Sequence, residues 1–68
     1  MKLLKSGASE LTLQLSAPQI RILMACVRES FATLDRTEYE LRIGAPIQAV
    51  SEFAKELGAL MHGVGVDV

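Results

Sequence analysis

Between Ser16 and Leu34 the apolar positions recur at helical spacing. At about 100° per residue, Ile20, Leu23, Met24, Val27, Phe31 and Leu34 fall within an arc of roughly 100°, and Arg21, Arg28, Glu29 and Asp35 lie outside it. Ser16, ahead of Ala17-Pro18-Gln19, supplies the start signal. Its hydroxyl can accept from a free N–H of the first turn, Pro18 stands where no N–H is needed, and Gln19 can reach back to close a capping box. A helix starting at residue 17 is expected. Ile22 and Cys26 break its pattern, because they fall on the flank away from the main stripe, where a lone surface helix is normally polar. A second packing surface is therefore expected on this helix.

Upstream, Leu11, Leu13 and Leu15 alternate with Thr12, Gln14 and Ser16, the period of a half-buried strand with its leucines facing inward. Residues 2–5 form a weaker apolar run, and Ser6-Gly7-Ala8-Ser9 has turn composition, so a hairpin is expected. Two strands alone are marginal in water. The hairpin must lie on the helices or gain a strand from another chain, which makes its free edge a candidate interface.

Downstream, Tyr39, Leu41 and Ile43 alternate with glutamates and arginines as a strand would, yet Asp35 or Thr37 can cap a short helix that Gly44 ends in the left-handed conformation. The short helix is the favoured reading, and Tyr39 and Ile43 turn inward in either case, with Leu41 open. Pro46 then introduces a second long helix in which Ile47, Val50, Phe53, Ala54, Leu57, Leu60 and Met61 gather within about 140°. Gln48, Ser51, Glu52, Lys55 and Glu56 make its polar face. Gly58 borders the two faces, where a missing side chain lets another backbone approach, and Gly63 is expected to end the helix. The tail from Gly63 to Val68 reads as a frayed end or as a third strand along the hairpin.

The fold class implied is α+β, a single domain over residues 1–68. A small N-terminal β-hairpin precedes two long amphipathic helices joined by a short helical or strand-like segment, with a possible third strand from the C-terminal tail.

Length makes this arrangement precarious. A chain of 68 residues buries only about 60% of the surface its unfolded form exposes, so such domains usually carry a staple. Cys26 is the single cysteine and cannot close an internal disulfide, and no Cys/His cluster offers a structural metal site. Half of the residues are hydrophobic. That surplus, with the doubly apolar first helix, points to a homodimer or a protein partner. Seven basic side chains against eight acidic ones leave no field to gather nucleic acid or an anionic membrane. The first residues begin like a secretion signal without its apolar stretch, and no run approaches the roughly 18 apolar residues of a membrane span. A reducing, cytoplasmic setting is expected, with no cofactor.

Candidate chemistry is sparse. Cys26 sits between Ala25 and Val27 with nothing near it in sequence to lower its pKa, so it is expected to pack as a small hydrophobe. His62 is the single imidazole and has no evident partner; Glu52 and Glu56, one turn apart with Lys55 between them, read as a solvated face. Gly63-Val64-Gly65 lacks the lysine and strand-to-helix context of a phosphate loop. No catalytic set follows. The function expected is a non-enzymatic interaction or accessory module acting as a homodimer, with Ile22, Cys26, Leu11 and Leu13 as its contact residues. The alternative is a helix-turn-helix DNA-binding regulator, since the helix order and the Gly-Ala-Pro turn have the right outline. Against it, the would-be recognition helix carries Glu52 and Glu56 with Lys55 as its only cation.

Overall fold

The computed structural model describes residues 1–66. In chain order it contains β1 (Lys2–Ser6), β2 (Leu11–Gln14), α1 (Ala17–Thr33), α2 (Arg36–Ile43) and α3 (Ile47–Gly63). This is the small α+β fold expected from the pattern, with a two-stranded antiparallel sheet ahead of three helices.

α1 and α2 start on side-chain caps, and α2 and α3 end on glycines in the left-handed region. At α1 the capping box is complete: the Gln19 N–H donates to Ser16 Oγ at 3.3 Å and the Ser16 N–H donates to Gln19 Oε1 at 2.9 Å. Asp35 caps α2 by accepting the Glu38 N–H at 2.8 Å, and Gly44 ends it at φ 84°, in the left-handed region. The segment 36–43 is thus helical. α3 follows Pro46, runs through Gly63 and closes in a Schellman motif centred on Gly65 at φ 76°. There the Val66 N–H donates to the Met61 carbonyl at 2.8 Å and the Gly65 N–H to the His62 carbonyl at 3.1 Å. Through Val66 the tail is therefore committed to a helix end rather than to a third strand; the rest of that expectation, at Asp67 and Val68, lies outside the described residues.

The hairpin pairs Leu3 with Leu13 and Ser6 with Leu11, and Lys2 with Gln14 and Lys5 with Thr12. A bulge between Leu3 and Lys5 resolves the conflict built into Lys2-Leu3-Leu4-Lys5. Without it, Lys5 would share a face with Leu3; with it, both lysines join Thr12 and Gln14 on one face and Leu3, Leu11 and Leu13 share the other. The Gly7 N–H donates to the Glu10 carbonyl at 2.8 Å to close the turn.

The buried core is small and, among the described residues, consists of Met24 of α1, Tyr39 of α2 and Met61 of α3. Tyr39 stacks on Phe31 at a centroid distance of 5.7 Å, and its hydroxyl lies 2.6 Å from Ser30 Oγ, which itself donates to the Val27 carbonyl. Gly58 of α3 faces Met24, whose Cε lies 3.6 Å from where a Cβ would stand. The close neighbour at Gly58 is thus a flexible side chain, not the backbone expected from the sequence.

Several side chains expected inside are not. Ile43 is exposed, because the buried contact of α2 is spent on Tyr39 one turn earlier. Leu60 is 69% exposed and Phe53 also faces solvent, since they lie about 100° and 80° round the helix from Met61, toward the far edge of the apolar arc. Leu41, left open by the pattern, is fully on the outside. Leu11 and Leu13 do not turn into a core either: every residue of both strands is exposed.

The molecule is consequently flat, 35 × 32 Å across and 17 Å thick, with a radius of gyration of 13.3 Å against about 11 Å for a compact domain of this length. Its surface is 5462 Å², some 1,200 Å² above the roughly 4,200 Å² of a compact monomer of its 7.4 kDa mass.

Candidate functional site

The hairpin and the N-terminal half of α1 enclose an open concavity of about 420 Å³. From the strand side come Met1, Leu13 and Leu15; from α1 come Gln19, Ile22, Leu23 and Cys26. The α1 contribution follows from helix geometry, because Gln19, Leu23 and Cys26 rise along one side of the cylinder with Ile22 beside them. This side is separate from the one on which Met24 meets α3, and that is how one helix comes to carry two apolar faces.

Three of the four expected contact residues, Leu13, Ile22 and Cys26, are thereby brought together on one surface. Leu11 is not part of the lining, although it shares the apolar face of β2 with Leu13 and lies open beside it. Ile22 is 64% exposed and Cys26 is exposed as a free thiol. The expectation that Cys26 packs as an interior hydrophobe is corrected: among the described residues, no other element covers the face of α1 that carries it. Leu15 joins Leu13 on this surface, as the alternation from Leu11 implies; Met1, Leu23 and Gln19 also belong to it, which the sequence pattern does not announce. Leu23 counts there only toward the main stripe, and its place at the border of the two faces is the available signal.

The surface is chemically plain. It carries no charged side chain, and its one amide, Gln19, is engaged with Ser16 in the capping box. A second hollow of about 310 Å³, beside the start of α1, presents Lys2, Gln14, Ser16 and Gln19, of which the last two satisfy each other. Among the described residues no group of three His, Cys, Asp or Glu is placed to hold a metal ion, and no helix is long and apolar enough to cross a membrane. His62 lies in the last turn of α3, exposed.

An arrangement of this kind can exclude water and take up apolar side chains; its lining holds no nucleophile–base pair. No protein-family model matches the chain, and neither a curated protein nor a solved structure matches it.

Proposed function

We propose that this chain is a small non-enzymatic interaction or accessory module that works as a homodimer in the reducing, cytoplasmic setting expected for a free thiol. The observation that carries the reading is the mismatch between core and surface. A core of three residues among those described, a surface some 1,200 Å² larger than a compact monomer's, and exposed apolar side chains such as Leu11, Ile22 and Leu60 together leave surface that a folded chain ordinarily covers. That excess exceeds the roughly 800 Å² that each partner contributes to a standard interface. Size-exclusion chromatography with light scattering tests it: the expected mass is twice 7.4 kDa, and a monomer at every concentration up to the millimolar range refutes it.

The competing proposal is a helix-turn-helix DNA binder, favoured by the three-residue Gly44-Ala45-Pro46 connection between α2 and α3. It is the weaker one, since the polar face of α3 offers a single cation where phosphate recognition wants several. Titration of random duplex DNA at low salt separates the two. Binding that falls steeply as salt rises would support the DNA reading.

A further inference from the structure

We infer that the hairpin is an arm hinged at Leu15, which swings toward α1 and closes over the Ile22–Cys26 flank; the structure stands at the open position. The chain is pinned on either side of this residue. Ser16 belongs to α1: its N–H donates to Gln19 Oε1, its Oγ accepts the Gln19 N–H, and its carbonyl accepts the Ile20 N–H at 3.0 Å. Gln14 belongs to the hairpin, paired with Lys2 at the end of the ladder. Leu15 lies between the two, half-buried and in neither element. Its φ and ψ can therefore turn one body against the other without breaking a hydrogen bond of either, which is what a hinge at an element terminus requires.

Little else braces the joint. Among the described residues no hydrogen bond runs from a strand to a helix. The backbones that pack closely are those of α1 with α3, α2 with α3, and the two strands with each other. An open hollow lies on either side of the joint, the apolar one of about 420 Å³ and the polar one of about 310 Å³, and Met1, Leu15 and Gln19 line both as the ridge between them. The arm has room to move in each direction, and the chemistry of the two hollows sets which it takes. Closing the first brings Leu13 against Ile22 and Cys26 and removes exposed apolar surface from water. Closing the second strips water from Lys2 and Gln14, with no acidic side chain in the lining to receive the lysine. A two-stranded sheet needs a helix to pack on for independent stability, so a hairpin whose strand residues are all exposed is stabilised by lying down on α1. The two walls sit on one chain and meet at an effective concentration of about a millimolar or more, above that of a second molecule in dilute solution.

Double electron–electron resonance reads the swing as a distance between spin labels at Ala8→Cys, in the hairpin turn, and Arg28→Cys, exposed on the far side of α1, in a Cys26→Ala chain. Diluting the labelled chain into a large excess of unlabelled chain confines the reading to distances within one copy, so it does not depend on the homodimer reading. A shorter distance from the closed arm is expected beside the longer one of the open arm. Ile22→Glu sets a carboxylate in the closing face and should lower the closed-to-open ratio about tenfold, with helical circular dichroism retained because Ile22 is exposed in the open arm. Leu60→Glu, on α3 and outside the lining, should leave the ratio unchanged. A single long distance overturns the inference, as does a distribution that Ile22→Glu leaves as it was; either result leaves the homodimer reading standing. The presence or absence of the short distance in the parent labelled chain decides the matter even if Ile22→Glu fails to fold.

Discussion

Tyr39 is the largest fully buried side chain, and it is the point at which α2 is tied to α1. Its ring stacks on Phe31 and its hydroxyl meets Ser30, so both its apolar body and its polar tip are satisfied. Removing only the hydroxyl, as Tyr39→Phe, is expected to cost about 1 kcal/mol. Tyr39→Ala also empties the space under α2 and should cost about 3–5 kcal/mol, enough to unfold a marginal domain. Urea denaturation followed by circular dichroism measures both, and equal effects from the two variants would refute the anchoring role. Gly44 acts through its backbone: at φ 84°, with nothing within 4 Å of where a Cβ would stand, Gly44→Ala meets no clash and loses about 1 kcal/mol to conformational strain alone. Asn in its place should lose less, because asparagine tolerates the left-handed region.

Among the elements, the pairing of α1 with α3 turns on Gly58. Its neighbour is the flexible end of Met24 at ordinary contact distance, so a methyl group fits. Gly58→Ala is therefore expected to raise stability by up to about 1 kcal/mol through helix propensity. A fall in the denaturation midpoint would show instead that the two helices approach more closely than 3.6 Å allows. The hairpin behaves differently from the helices. α1 begins on a cap formed by its own residues, whereas the strands pair only with each other and carry an apolar face that no other described element covers. Amide exchange should accordingly find β1 and β2 among the least protected segments whenever the chain is monomeric, with α1 and α3 retaining protection longer.

At the scale of the whole molecule, folding and association are expected to be coupled. A flat chain with so small a core gains stability from any partner that binds only its folded form, so its thermal midpoint should climb with protein concentration. Differential scanning calorimetry over a hundredfold dilution series checks this, and a concentration-independent midpoint would argue that the chain stands alone.

The element boundaries are written into the sequence because the signals that set them are local. Ser16 with Gln19, Asp35 with Glu38 and Gly44 each act within a few residues, and the alternation of Leu11 and Leu13 or the helical spacing from Ile20 to Leu34 needs no knowledge of the rest of the chain. The same spacing sets Ile22 and Cys26 apart from the core stripe. What periodicity cannot contain is how far a neighbouring element reaches. An apolar arc of about 140° on α3 is compatible with burying Leu60 or leaving it open, and only the tertiary placement, with Met24 of α1 over Gly58 and Met61 buried, selects the second. Likewise, a cysteine on an apolar flank is buried or exposed according to what lies over it, and the tertiary structure sets the hairpin beside that flank rather than across it, leaving an open hollow. Local chain chemistry determined the elements; the limited contact area among so few of them decided which apolar faces stay uncovered.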